Sequence, residues 1–449
     1  MVKIKLRHSA SQLFSREFSR KKLENTYDKY INNHSTPGID GISADTFKKN
    51  ISSHIELIHK KVENNSYNFS QYKEKLILKS AHKYPRIISI PTTRDKLVLK
   101  ALSIILIELF GDNFLSLHEL VNDAIKSYKS GNFDYLIRLD IIDYYPSINH
   151  EKLFEQIHKK IRKVEITTLL QKAISQSTVS KPCHQIQQNN VGVPQGLSIS
   201  NILANIYFLP IDYKYYASST FRYYRYVDDI IIFCKKEDST QIYKDFQKDI
   251  QELQVTLHPP KDKDKFLMAD IAQGFNYLGY HFEKNEISIK KENVEKFCAS
   301  IIRYFTSYKY AKKKNLDLLI FILNLRITGC VVDQKKYGWI FYFSQITDKK
   351  ILYGLDEFIS DQISRFGLAS YQNQIKKINR SYFEVTKNFT KTKYIPKFDY
   401  YSPSEINNIV SEIFKINING MTDQTIKNIF HKKIFQCIKD IEKDFSRLS

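Results

Sequence analysis

The chain has 449 residues, 42% of them hydrophobic, which is enough for two or three domains with cores of their own and excludes a disordered polypeptide. Lysine and arginine number 69 against 48 acids, a formal charge of +21 and an isoelectric point near 9.4; that suits a polyanionic partner, although a low-GC genome rich in Ile, Lys, Asn and Tyr codons yields the same surplus. Five scattered cysteines with no Cys-x-x-Cys pair point to neither a disulfide framework nor a zinc site, no apolar run reaches membrane-span length and no signal-peptide core is seen, so a reducing cytoplasm is expected.

Residues 1–23 are basic and lightly amphipathic, the pattern of a docking helix or RNA-binding arm. Residues 10–65 read as helices interrupted by the Pro/Gly loop Ser35 to Gly41. Leu76-Ile77-Leu78 and Ile87-Ile88-Ser89-Ile90 are strand-like runs around a basic turn, and Leu97, Val98, Ala101, Leu102 and Ile105 then recur at helical spacing. Leu136 to Ile142 is an apolar strand holding one acid, Asp140, which is costly to bury unless paired or metal-bound. Gly192 to Ser198 is a tight loop that delivers Gln195 to the entrance of a helix carrying Ile199, Ile202, Leu203, Ile206 and Leu209.

Phe221 to Cys234 runs from aromatic to β-branched residues across a gap of two or three, a hairpin with Asp228 and Asp229 at its tip. Turn chemistry alone accounts for an Asp pair about as well. The second acidic strand tips the balance: with Asp140 alongside, three carboxylates could hold two Mg²⁺ ions for an in-line phosphoryl displacement. Phe275 to Phe282, a turn at Glu283 to Asn285 and Ile287 to Ile289 suggest a further hairpin. Beyond Lys290 the pattern is helical throughout, with a capping box at Ser402-Pro403-Ser404-Glu405 and a last helix marked by Ile426, Phe430, Ile434 and Ile438. The boundaries expected are 1–75 for an N-terminal helical extension and the start of the next region, 76–290 for a core, and 291–449 for a helical region.

In order along the chain, Asp140 on its strand, Gly192-Val193-Pro194-Gln195-Gly196, Tyr226-Val227-Asp228-Asp229 and the Leu278-Gly279 hairpin resemble the palm of reverse transcriptases. Ser35 to Gly41 resembles the N-terminal extension loop of group II intron and other bacterial enzymes, and Pro85-Arg86 to Asp95 resembles their fingers, so the likeness extends over Ser35 to Ile289. It implies an α+β right-hand polymerase fold, fingers and palm with an antiparallel sheet, followed by an α-helical thumb and a C-terminal extension that grips RNA or a partner.

The resemblance also implies roles. Asp140 and Asp228 become the principal metal ligands, completed by Asp229 and the Ile141 backbone carbonyl, for two Mg²⁺ ions with Mn²⁺ as a substitute. Tyr145, with Tyr144 beside it, stands where the family places the side chain that excludes a ribose 2′-OH, which implies a DNA product; an ordinary core aromatic is the other reading of Tyr145. Gln195 falls near the incoming nucleotide and template base. Lys79 and Arg86 match the cations on the triphosphate, with Lys75 and Lys83 as alternatives. Asp143 either sets backbone NH groups for the triphosphate or caps a turn. Lys261 in Leu257-His258-Pro259-Pro260-Lys261 aligns with the lysine of a Leu-Asn-x-x-Lys segment from which His258 departs. Tyr226 and Val227 form the floor under the primer end, and Tyr277, Leu278 and Gly279 the primer grip.

Gly192 to Ile206 resembles defence-associated and abortive-infection reverse transcriptases more than retron or intron enzymes, which more often follow Pro-Gln-Gly with Ser-Pro or Ser-x-Thr. Asn324 to Gly329 resembles the retron Val-Thr-Gly segment that lies near RNA, which keeps that branch open. Lys312-Lys313-Lys314 is a phosphate candidate or a solvated helix end, and no ribonuclease H or His/Cys nuclease pattern follows Lys290. The expectation is an RNA-directed DNA polymerase making cDNA from dNTPs on a dedicated structured non-coding RNA in bacterial defence, with a homo-oligomer or partner protein admissible and no membrane. A retron or group II-like enzyme of a mobile element, and a catalytically idle RNA-binding scaffold, are the alternatives.

Overall fold

The computed structural model describes residues 8–31, 36–78, 84–183 and 189–442. They fall into two units, Met1–Leu120 with Tyr135–Met268, and Val121–Asp134 with Ala269–Ser449.

In the first unit the helices Ala10–Glu17, Arg20–Tyr30, Ala44–Lys49 and Ile51–Glu63 turn Leu13, Phe14, Leu23, Tyr27, Ile55, Ile58 and Val62 inward. They pack against Thr93–Phe110, a helix apolar on nearly every side and therefore buried along its length. Its entry is fixed by Thr92, whose hydroxyl accepts from the Asp95 N–H at 3.2 Å, while the buried Asp95 carboxylate accepts from the Tyr67 hydroxyl at 2.7 Å and the Ser70 N–H at 3.1 Å.

The two strand-like runs pair as expected: β1 (Tyr72–Ile77) lies antiparallel to β2 (Arg86–Ile90) with Ile77 opposite Arg86. β3 (Tyr135–Asp140) belongs to the central sheet, and the short β4 (Thr178–Val179) extends β1 in parallel. β5 (Arg222–Tyr226) and β6 (Asp229–Cys234) form the expected hairpin, and β6 continues onto β3 in antiparallel register, Asp140 facing Asp229. The helix Ser200–Tyr216 packs on β5 and the helix Lys236–Glu252 on β3. Ile230 to Cys234 are wholly buried, which is why that strand reads as a continuous apolar run rather than an alternating one.

In the second unit, which β7 (Leu267–Asp270) enters at its C-terminal end, the sequence 275–282 is not one strand. It folds back at Leu278-Gly279 into β8 (Phe275–Tyr277) and β9 (Tyr280–Glu283), and a second turn at Lys284-Asn285 leads into β10 (Glu286–Ile289). All four turn residues have positive φ, as tight primed hairpin turns require. The region after Lys290 is mainly helical, and the capping box at Ser402 with Glu405 is present. It is not helical throughout. β11 (Cys330–Val332) and β12 (Lys335–Tyr337) form a small hairpin within it.

The Asn324 to Gly329 segment, expected near RNA, is instead built into the core of this unit. Arg326 is buried, its Nη1 donates to the Ile441 carbonyl at 2.5 Å and its guanidinium lies 4.7 Å from the Phe297 ring, while the buried Thr328 donates to the Asn324 carbonyl at 2.8 Å.

Candidate active site

Three neighbouring backbone positions in the first unit carry the acids. Asp140 ends β3, Asp229 begins β6 directly opposite, and Asp228 occupies the two-residue turn between β5 and β6. Burial, then the charge of Asp140, raises the Asp228 carboxyl above its ordinary range. Burial also raises Asp229, with Arg138 pulling the other way.

Each acid on the paired strands has a cationic partner that the motif reading did not identify. Arg138, two residues before Asp140 and so on the same strand face, holds Asp229 with Nε to Oδ1 at 3.1 Å and Nη2 to Oδ2 at 3.3 Å. Lys265 Nζ lies 2.6 Å from Asp140 Oδ2, and His258 Nε2 lies 3.4 Å from Asp140 Oδ1 while its Nδ1 faces Asp262 Oδ2 at 3.0 Å. Lys261, the lysine that aligned by spacing, is exposed, and His258, the residue that departs from the family's asparagine, reaches Asp140.

The expected three-carboxylate cluster is therefore not closed: among the described residues no three His, Cys, Asp or Glu side chains converge on a metal position. The guanidinium of Arg138 holds Asp229 from one side, while Asp140 and Asp229 both raise Asp228 and Asp140 also raises Asp229, so all three acids repel one another. Two carboxylates with the Ile141 backbone beside them form an all-oxygen donor set, which fits a hard divalent cation. Asp140's carbonyl and Ile142's N–H are taken up by His258 and Thr256, at 3.0 and 2.8 Å, so the ladder at this point does not use the Ile141 carbonyl.

Tyr145 stands close enough to Asp228 and Arg86 to feel both charges; burial and then Asp228 push its hydroxyl up to about 12, so it remains a neutral donor. Tyr226 is raised by the same two causes. Tyr144 faces away into the core, its hydroxyl donating to the Ala204 carbonyl at 2.5 Å, and so is placed as packing rather than as a nucleotide contact. Asp143 is exposed, has φ +43° and makes no side-chain capping bond, so its turn-cap role is not realised. Lys79 and Lys83 lie outside the described residues.

The Gln195 loop is pinned at both sides. Gly192 N–H donates to the Ile148 carbonyl at 2.8 Å and Val193 N–H to the Tyr145 carbonyl at 2.9 Å, while the Gln195 carbonyl accepts from Ser89 N–H of β2 at 2.7 Å. Glycine is required at two points: a Cβ on Gly192 would lie 2.9 Å from the Pro146 carbonyl oxygen, and one on Gly196 would lie 2.6 Å from Ile88 Cγ2, with φ of +90° and +102°. Gln195 thus comes between Tyr145 and the fingers strand. Against that strand lies a cavity of about 410 Å³, lined among others by Tyr30, Lys75, Ser89, Lys96, Lys100 and Gly196. Burial lowers the Lys96 ammonium to about 8. Lys96 and Lys100, four apart on one helix face, carried no motif signal.

Tyr277, Leu278 and Gly279 lie in the second unit. Tyr277 is buried, the Leu278 carbonyl accepts from the Tyr342 hydroxyl at 2.9 Å, and the Gly279 carbonyl accepts from Lys290 N–H at 2.9 Å and Asn293 Nδ2 at 3.2 Å.

Residues 48–282 match the family model described as Reverse transcriptase (RNA-dependent DNA polymerase). Protein YkfC of Escherichia coli K12 is 22% identical over 321 residues, covering 59% of this chain and 83% of that protein. The group II intron-encoded protein LtrA of Lactococcus lactis is 27% identical over 186 residues, 40% of this chain and 30% of its own; the chain therefore spans under a third of that relative. Among solved structures, telomerase from Candida albicans with a TWJ fragment of telomeric RNA aligns over 86% of this chain and 70% of its own at 13% identity and a TM-score of 0.44. With more than half of its length inside the family match and the strand acid, loop and hairpin in one α+β unit, this chain belongs to the reverse transcriptases, RNA-directed DNA polymerases of the right-hand fold, and is related to those encoded by group II introns.

Proposed function

We propose that the protein makes cDNA from dNTPs on a dedicated structured non-coding RNA, as part of a bacterial defence against phage. The observation that carries the polymerase reading is the pairing of Asp140 with the Asp228-Asp229 hairpin end, with Tyr145 beside Asp228. Asp140 and Asp228, with Asp229 and the Ile141 carbonyl as further oxygens, are the residues that would hold two Mg²⁺ or Mn²⁺ ions. When bound, such ions supply Lewis acidity to the primer 3′-hydroxyl and to the departing pyrophosphate.

The chain's own groups do the rest. Arg86 offers a planar fork to the triphosphate, Tyr145 presents a rigid ring against a ribose 2′-OH, and Gln195 is held near the nascent pair by its loop. Lys265 and Arg138 offset the repulsion among three acids. The lysine-lined cavity against β2 suits template phosphates, and the helical second unit serves as thumb and RNA grip.

The defence role and dedicated template rest on the Gly192 to Ile206 sequence, and a cytoplasmic site fits the reduced cysteines. Among the described residues no helix is long and apolar enough to cross a membrane. The similarity to LtrA favours a second reading, an enzyme of a mobile element. Protein purified with its bound nucleic acid and supplied with dNTPs and Mg²⁺ should extend DNA, and sequencing that nucleic acid separates the two: one recurrent RNA supports the dedicated template, intron RNA supports the mobile element. RNA binding without any DNA synthesis by the native protein would leave only a scaffold.

A further inference from the structure

Val227, the first residue of the turn that carries Asp228, has φ +57° and is buried. A β-branched residue is strained in that region, and two-residue hairpin turns usually place glycine or asparagine there. Strain at such a point persists only where the surroundings hold it.

The holder is Arg225, two residues earlier on β5. Its side chain and that of Asp212 are each 3% exposed. Nε donates to Asp212 Oδ1 at 2.8 Å and Nη2 to Asp212 Oδ2, while Nη1 donates to Asn205 Oδ1 at 3.1 Å and to the Val227 carbonyl at 2.9 Å. The guanidinium lies 4.4 Å from the Phe208 ring, and the Tyr223 hydroxyl donates to Asp212 Oδ1 at 2.9 Å. Asn205, Phe208 and Asp212 share one face of the helix Ser200–Tyr216, the helix entered through the Gln195 loop. A buried ion pair is a poor means of stabilising a fold, since apolar residues of the same volume often serve as well or better. Its use here, ending on the carbonyl of a strained residue next to Asp228, indicates a geometric purpose.

We propose that Arg225, locked by Asp212, is a positioning residue that grips the Val227 carbonyl and keeps the left-handed turn, so that the Asp228 carboxylate is held beside Asp140. The inference rests on the polymerase reading. Arg225 touches neither substrate nor reacting atoms; it acts through the turn.

The test replaces both charges and the Tyr223 hydroxyl together, Arg225→Met with Asp212→Leu and Tyr223→Phe, so that no buried charge is stranded and what is lost is the guanidinium's grip on the Asn205 and Val227 oxygens. This variant should keep the parental circular dichroism and RNA affinity, while kcat for dNTP incorporation falls about 30- to 100-fold and KM for dNTP stays within about threefold. Adding Val227→Gly, which adopts the turn without strain, should restore about tenfold of the lost kcat. Arg225→Lys, which keeps the charge but not the fork, should fall between parent and triple variant, and it carries the kcat and KM comparison if the triple variant does not fold. Parental kcat in the clamp variants, a rise in KM with kcat intact, or no rescue by Val227→Gly would overturn the proposal. A parent that makes no DNA sinks the polymerase reading alone; Mn²⁺ titration then decides the clamp, with affinity about tenfold weaker in the triple variant supporting it and equal affinity overturning it.

Discussion

Replacing Asp228 by asparagine is expected to silence DNA synthesis and, at the same time, to make the protein more stable. The carboxyl is half-buried and feels the charge of Asp140, and desolvation and that charge both raise it above its ordinary range. Two unit charges at contact distance, about 4 Å, repel by about 4 kcal/mol at an effective dielectric of about 20, which is the ceiling for this pair. Lys265 and a backbone hydrogen bond act in the opposite sense, so removing one charge should leave a net gain of about 1 kcal/mol, or about 2–4 °C in Tm. Because the folded-state value is raised, the parent has its full stability below the unfolded carboxyl range and loses some as pH rises through the folded value. Asparagine does not titrate, so the gap between variant and parent should be near zero in acid and widen toward neutrality. Thermal unfolding from about pH 3, below the ordinary aspartate range, to about pH 8 without added metal measures the gap, and single-turnover extension measures activity, expected to fall by about 10³-fold, which is about 4 kcal/mol of barrier. A variant that melts below the parent at pH 7.5, or a gap independent of pH, would refute the electrostatic reasoning; retained synthesis would refute the site.

Tyr145→Ala should incorporate ribonucleotides at least about tenfold more readily than the parent, since the ring beside Asp228 is removed while the acids stay; unchanged sugar selection in a competition assay would count against the gate. Gly196→Ala forces a Cβ against Ile88 at a positive φ and should destabilise the first unit by about 1–3 kcal/mol, measured by urea unfolding. Lys265→Met should reduce kcat by about 10-fold or more and Lys261→Met by less than about twofold, because Lys265, not Lys261, contacts Asp140; equal losses would show that sequence alignment outranks the observed contact. Asp95→Ala, which strands the Tyr67 hydroxyl and the Ser70 N–H, should cost about 3 kcal/mol in the same unfolding assay.

The β5–β6 hairpin was legible because its cues are local: two runs of strand-forming residues, a gap of two, and acids at the gap. Asp140 was legible as the odd residue in an apolar strand. What stayed hidden depends on partners distant in sequence. Lys265 reaches Asp140 from a loop that lacks any periodicity, and spacing alone pointed to Lys261 instead. Arg138 could have been found, since a second charge two residues before Asp140 must share its face of the strand. The pairing of Arg225 with Asp212 had no such signal. In the second unit the β11–β12 hairpin escaped because three-residue strands and a turn at Asp333-Gln334, without glycine, leave too little pattern in a helical region. The burial of Arg326 shows the same limit from the other side: a polar motif suggests a ligand until the Ile441 carbonyl and Phe297 ring are seen around it.

The loop from Gly192 to Gln195 is bonded to the segment containing Tyr145 on one side and to β2 on the other through consecutive main-chain groups. Its length is therefore a fixed gauge between Tyr145 and the strand that begins with Arg86. A one-residue insertion or deletion there would shift both at once. Selection for altered nucleotide preference should accordingly enrich paired substitutions on β2 and around Tyr145, with the loop's length left untouched.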